Sequence, residues 1–315
     1  MPIVWLVGLL GGAGLILWGA ELFTEHLAVA AVRLRISAFA LALLLAGAEP
    51  EELATAVTAS WREAPAIALG DVIGANIAIC LVALGVGAVT APLPFGKRVM
   101  PYALGGLPLG IIATYIMWNG TVSRMQGVAL VALYLLFIGV IWLWERQPPA
   151  LGETAELEEA QGKPPSPLSR ELGLVLVGLA LMVGGSLLLV EGVRQITHGE
   201  ETQTKLSLAV VGFATAFELV VLAWSSAKRG AREVAVAGVV GSFAYNVTMT
   251  LGMAAIARPL QILDASLLHL PLLIMVSSLG IGIGLAVPKL VLDRRGGAIL
   301  LSLYPLALIA IFLAR

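Results

Sequence analysis

Charge is scarce in this chain. Lys, Arg, Asp and Glu make up 12% of its 315 residues, about half the roughly 25% of an ordinary soluble domain. A single cysteine, Cys80, excludes an internal disulfide and any cysteine-built metal site. The three histidines, His26, His198 and His269, fall near the ends of apolar runs, which speaks against a histidine metal cluster. No Ser/His pair, H-E-x-x-H or paired-aspartate motif is present, so an intramembrane enzyme would lack its chemistry. The net charge of −1 gives no hint of nucleic acid as a partner.

Apolar residues fill the space: 59% of the chain is hydrophobic and the mean hydropathy is +0.96. The apolar runs are long and reach from end to end, as in an integral membrane protein whose partners are the lipid bilayer and small ions. Their length and lack of strict alternation favour helices over barrel strands. Runs of roughly 20 residues predict ten spans, near 3–23, 36–62, 65–91, 100–118, 125–144, 172–193, 205–228, 232–257, 265–287 and 297–314. The first is read as a retained helix and not a signal peptide, because it has no basic leader and Glu21 and Glu25 follow it. Thirteen of the 19 Lys and Arg residues fall in the odd-numbered loops, which predicts that those loops are cytoplasmic and both termini lie outside. The expected location is the cell's inner membrane.

Between the fifth and sixth spans lies "ERQPPALGETAELEEAQGKPPSPLSRE", Glu145 to Glu171. Its Pro and Glu content predicts a cytoplasmic linker. The chain therefore divides into a first five-helix unit (1–144), the linker (145–171) and a second five-helix unit (172–315).

The two units resemble each other. Gly19–Ala31 echoes Gly185–Thr197, with Glu25 aligned to Glu191 at an offset of 166. Glu52-Leu53 aligns with Glu218-Leu219 at the same offset, and Gly70–Gly85 with Ala237–Gly252 at 167. Five helices per repeat is an odd number, so the second repeat is expected upside down. Inverted repeats are a transporter architecture with the substrate site at mid-membrane, where the repeats meet.

The scarce charge is concentrated at that level. Glu49, Glu51 and Glu52 sit together in the apolar stretch Leu43–Val57, and Glu218 takes the matching place in the other half. An acid at membrane depth costs about 2.5–3.5 kcal/mol even on the lenient insertion scale, so it marks function. Pro50 removes a backbone donor and disfavours a helical residue before it, which predicts a broken helix with its ends turned to a cavity. A matching break in the second half would rest on Gly212 and Thr215. Carboxylates with Thr215, Ser242, Asn246 and water suit a hard cation such as calcium, which takes six to eight oxygens. Asp71, Asn76 and Glu51 are further candidates; Glu51 is turned about 100° from Glu52 and is expected to face a solvated crevice. Crowded carboxylates in low dielectric cannot all be ionised, so protons can exchange for metal.

These residues resemble the two α-repeats of the calcium/cation antiporter superfamily, which includes the sodium/calcium exchangers. The family pattern G-T-S-x-P-E-L followed by G-N-x-I-G-S-N-I corresponds to Gly47–Leu53 and Gly70–Ile77, within a first motif over about 43–85. A second motif over about 210–252 holds Phe213–Leu219 and Ala237–Ser242. The flanking G-x-E-L-F-x-[DE]-G is similar to Gly19–His26 and Gly185–Gly192. The resemblance implies ten helices, no cofactor, and ion-binding glutamates at Glu52 and Glu218. The family's hydroxyl positions fall on Ala48, Glu49, Ala75 and Ala214, with Thr215 and Ser242 retained. This implies an antiporter exchanging a divalent cation, calcium first, for Na⁺ or H⁺, with H⁺ slightly favoured. A cation channel, or a carrier of another metal such as Mn²⁺, stands as the alternative.

Overall fold

The computed structural model describes residues 2–34, 48–96, 99–145, 167–230 and 232–314. The described chain is nearly all helix. Helix α1 spans Pro2–Arg33, and α2, Pro50–Trp61, begins at the proline. Helix α3, Pro65–Ala78, continues through a π-helical turn, Ile79–Ala83, into α4, Leu84–Thr90. Helices α5 (Val99–Met117) and α6 (Arg124–Glu145) complete the first half. The second half opens with α7, Leu168–Ile196. Helix α8, Glu200–Leu206, passes through a π turn, Ser207–Val211, into α9, Gly212–Thr215, and then α10, Phe217–Arg229. Helix α11, Arg232–Tyr245, leads through a third π turn, Asn246–Thr250, to α12, Leu251–Ala257; α13 (Ser266–Ala286) and α14 (Arg294–Leu313) follow.

Among the described residues, eight helices are long and apolar enough to cross a membrane, or nine when the pair bent by 41° at Ala216 counts as one broken span. Of the span read at 36–62 only α2 is described; residues 35–47 lie outside the described residues. So do residues 146–166 of the linker with their acidic run, and Lys97 and Arg98.

The first helix departs from the sequence reading. It does not stop near residue 23 but runs on to Arg33, so Glu21, Glu25 and His26 are helical and His26 is not at a helix end. Residues 27–32 are all apolar and carry the helix past its charges. His26 Nδ1 meets Glu171 Oε2 at 2.5 Å at the start of α7, which gives a buried carboxylate a partner.

The element series of the first half recurs in the second. Helices α2, α3, α4 and α5 and the π turn at Ile79 each restart 167 residues later, at α10, α11, α12 and α13 and the π turn at Asn246. Four two-residue strands, too short to be read from the sequence, tie the halves. Strand β1 (Leu93–Pro94) pairs antiparallel with β4 (Val291–Leu292), and β2 (Thr121–Val122) with β3 (Leu260–Gln261). Asp293 then caps α14: Gly296 N–H donates to its Oδ1 at 2.9 Å and holds that carboxyl below the usual carboxylate range.

The helices α3–α4 and α11–α12 form the almost wholly buried centre. Helices α1 and α7 pack on each other along their length. Gly12 faces Gly185 and Gly19 faces Gly178, so the two helices run antiparallel. Small residues let backbones approach where lipid tails offer no competing hydrophobic drive.

That contact makes a prediction. A Cβ at Gly19 would sit 2.7 Å from Gly178 O and 2.8 Å from Met182 N, whereas one at Gly14 would meet nothing within 4 Å. Alanine favours a helix interior over glycine by about 1 kcal/mol, while overpacking costs about 1–3 kcal/mol. Gly19→Ala should lower the thermal midpoint of the protein in detergent, and Gly14→Ala should leave it unchanged or raise it. Equal midpoints for the two variants would rule out the close approach.

Candidate functional site

Two helix starts face the centre of the molecule. Pro50 occupies the first position of α2, and Glu49 before it is extended, with φ −118° and ψ 85°. The sequence places Glu51 and Glu52 in the first turn that follows. On the other side the chain bends at Ala216, one residue beyond the expected Thr215, and Glu218 sits in the first turn of α10. Unpaired N–H groups at helix starts carry partial positive charge and favour carboxylates. The folding of these two breaks therefore gathers the acids.

Close backbone crossings set the spacing between the halves. Gly74 of α3 lies against the Leu208 backbone, and Gly212 of α9 against the backbone of Gly74 and Ala75. Any side chain at either glycine would push α3 and α9 apart. Gly70 packs in the same way against Ser207.

Across these crossings each half bonds to the other. Thr215 Oγ1 donates to Asp71 Oδ1 at 2.9 Å, and Ser242 Oγ donates to Glu49 Oε1. Thr215 also reaches the Val211 and Gly212 carbonyls of its own helix. Thr250 Oγ1 donates to Asn246 Oδ1 at 3.2 Å within the third π turn. Asp71 lies inside α3, whose first residue is Pro65, so it does not cap the helix.

Glu52 is fully buried, and neither of its carboxylate oxygens has a hydrogen-bond partner. Glu51 Oε1, Asp71 Oδ2, Asn246 Nδ2 and Asn76 Oδ1 are likewise buried and unpartnered. Glu52 stands within electrostatic reach of Asp71, Glu51 and Glu218, with the Asn246 amide near it but beyond normal hydrogen-bond length, and Glu49 within reach of Glu51, Glu52 and Glu218. The structure thus brings together eight of the nine candidate residues: Glu49, Glu51, Glu52, Asp71, Thr215, Glu218, Ser242 and Asn246. Asn76 stands somewhat apart, its Nδ2 donating to the Val72 carbonyl one turn back at 2.7 Å.

Two expectations change. Glu51 does not face a solvated crevice; it is 1% exposed and lies in the field of Glu218 and Glu49. The halves are also unequal. Glu52 is sealed, whereas its counterpart Glu218 is only half-buried. Helix α7 packs on α2 beside Glu52, where Thr55 Oγ1 and Ser186 Oγ lie 3.2 Å apart. The corresponding residues in the other half are Val221 and Ala20, which cannot make that bond. Glu21 of α1, passed over in the sequence, is the charged neighbour of Glu218.

Buried carboxylate oxygens without donors are costly and call for a positive partner. Among the described residues no three His, Cys, Asp or Glu side chains converge closely enough to enclose an ion alone. A cation here would take its remaining oxygens from Thr215, Ser242, Asn246, carbonyls and water, an all-oxygen set suited to hard ions.

The family model described as "Sodium/calcium exchanger protein" matches residues 4–143 and 171–313. CaxA of Alkalimonas amylolytica, named as a proposed antiporter, is 24% identical over 259 residues, covering 81% of each chain. The inner membrane protein YrbG of Escherichia coli is 23% identical over 225 residues, covering 69% of this chain and 68% of its own. Among solved structures, the sodium-calcium exchanger NCX_Mj soaked with Na⁺ and Sr²⁺ superposes with a TM-score of 0.65 at 21% identity, covering 100% of both chains. The same exchanger without Na⁺ and Ca²⁺ gives a TM-score of 0.62 at 21% identity, covering 99% and 100%. At this identity the likeness is one of fold.

Proposed function

The chain belongs to the sodium/calcium exchanger family, and from that premise we propose that it exchanges a divalent cation, calcium first, for a counter-ion by alternating access. Cation antiport is the activity of the family; the site, the counter-ion and the topology are our reading. The observation that carries the site is Glu52: a fully buried carboxylate with both oxygens unpartnered, facing acids from the other half of the chain.

In this reading the molecule is a ten-span inverted repeat. Helix α2 belongs to the span read at 36–62, and α8–α10 is its counterpart. The antiparallel pairing of α1 with α7, which hold equivalent places in the two series, supports the inversion. The unequal halves support alternating access. One glutamate is sealed beneath α7 while its mate stands half-open beside α1, and exchange of those roles would present the cation to the other side. Glu52 and Glu218 supply the central charge, with Glu49, Thr215, Ser242 and Asn246 around it and Glu51, Asp71 and Asn76 as further candidates.

Each half contributes one central carboxylate, so neither suffices. Glu52→Gln and Glu218→Gln should each cut calcium exchange by roughly 100-fold or more, while expression and the detergent elution profile stay those of the wild type. Normal exchange in either variant would remove the site assignment.

We further propose that protons support exchange here and that sodium dependence is weak. Ala48, Ala75 and Ala214 put methyl groups where the resemblance places hydroxyls, and a sodium ion stripped of water there would lack replacement oxygens. Glu49 adds a carboxylate, hydrogen-bonded to Ser242, that can take a proton when the cation leaves. Calcium uptake into proteoliposomes under separately imposed Na⁺ and H⁺ gradients tests this. A proton gradient should drive uptake, and Glu49→Ser should reduce proton-driven uptake by more than it reduces calcium binding. Strict sodium dependence would overturn it.

The loop charges favour a cytoplasmic linker at 145–171, with both termini outside and the protein in the inner membrane. A cysteine placed at Gly162, with Cys80 removed, should resist an impermeant maleimide in intact cells and react after lysis. Labelling in intact cells would reverse the orientation.

A further inference from the structure

The two helix breaks are held by bonds that mirror each other. Glu49, just before Pro50, and Thr215, just before the bend at Ala216, stand at equivalent places in the two repeats, 166 residues apart. Each is bonded to the central helix of the other half. Thr215 Oγ1 donates to Asp71 Oδ1 of α3 at 2.9 Å, and Glu49 Oε1 accepts from Ser242 Oγ of α11. All four side chains are buried. Asp71 matches Gly238, and Ser242 matches Ala75, at the offset of 167 that relates α3 to α11. The two anchoring positions are therefore one helical turn apart on the same face of the repeat.

Donor and acceptor change places between the halves. In the first, the carboxylate belongs to the break and the hydroxyl to the central helix; in the second it is the reverse. Gly238 and Ala75 carry no polar side chain, so neither half can repeat the other's bond. The second bond has local rivals, because Thr215 Oγ1 also lies 3.2 Å from the Val211 carbonyl and 3.3 Å from that of Gly212. A hydroxyl has one proton to give, and the carboxylate is both nearer and the stronger acceptor. With that proton committed to Asp71, the lone pairs of Thr215 remain free to face a cation.

We propose that each broken helix is clamped to the opposite half by one such bond, and that Asp71 is the positioning residue of the second clamp. It acts through Thr215. It fixes the residue before the bend, and with it the start of α10 that carries Glu218. The bearing of the clamp on the cation rests on the antiport reading above; the clamp itself does not.

Hydrogen exchange of the full-length protein in detergent, read by mass spectrometry over each break, tests the proposal. Thr215→Val keeps the shape and removes the hydroxyl. It should speed exchange over Gly212–Leu222 by roughly tenfold, the scale of one lost hydrogen bond to a charged group, and leave Ala48–Val57 at its own rate. Asp71→Leu and Asp71→Ala, either of which removes the acceptor, should match it, and combination with Thr215→Val should add nothing. Thr215→Ser, which keeps the donor, should retain most of the protection. An unchanged rate in Thr215→Val or in both Asp71 variants, equal acceleration over the two breaks, or additive effects would each overturn the clamp. Calcium binding to the same preparations separates position from charge. The half-saturating concentration should rise further in Asp71→Leu than in Asp71→Asn, which keeps an acceptor; equal rises would make Asp71 a charge alone and overturn its positioning role. A protein that binds no calcium yet shows the predicted exchange pattern would remove the antiport reading and keep the clamp.

Discussion

A carboxylate buried without a donor is the constraint on which this molecule turns. Glu52 has no exposure and no hydrogen-bond partner, and no Lys or Arg is buried among the described residues. In low dielectric such a group must take up either a proton or a cation. The elements around it serve that need. Two helix starts bring partial positive charge, glycine crossings bring hydroxyls from the opposite half within reach, and the remaining oxygens wait without donors.

The same demand accounts for the inequality of the halves. A site that took its cation from both faces at once would leak. Helix α7 packs over α2 beside the sealed Glu52, whereas Glu218 is left half-buried. The Thr55–Ser186 contact is specific to the closed side; valine and alanine at the matching positions, Val221 and Ala20, cannot form it.

Much of this was legible in the sequence. Pro50 announced the first break, and the offset of 166–167 announced the second series of elements and the pairing of Glu52 with Glu218. What stayed hidden depends on contacts across the chain. Thr215 and Asp71 are 144 residues apart, Ser242 and Glu49 193, and no local pattern encodes such bonds. The three π turns leave no hydrophobic signature either, because one extra residue per turn barely alters the stripe. Glu51 was misjudged because a rotation of 100° about one helix is informative only when a single helix bounds the cavity; here two helix starts share it. Glu21 was passed over because the apolar run appeared to end before it, although residues 27–32 extend the helix beyond.

The small strands have a mechanical consequence. Strands β1 and β2 lie at opposite ends of α5, and each is stitched to a strand of the other half. Helices α5 and α13 are thereby clasped at both ends, and α4, α6, α12 and α14 at one end each. Helices α1 and α7 carry no such stitch among the described residues. They grip each other through bare backbone at Gly12, Gly19, Gly178 and Gly185. The glycine-faced pair thus stands outside the strand-clasped frame, held to the rest of the molecule by side-chain contacts such as Thr55 with Ser186 and Arg62 with Glu191.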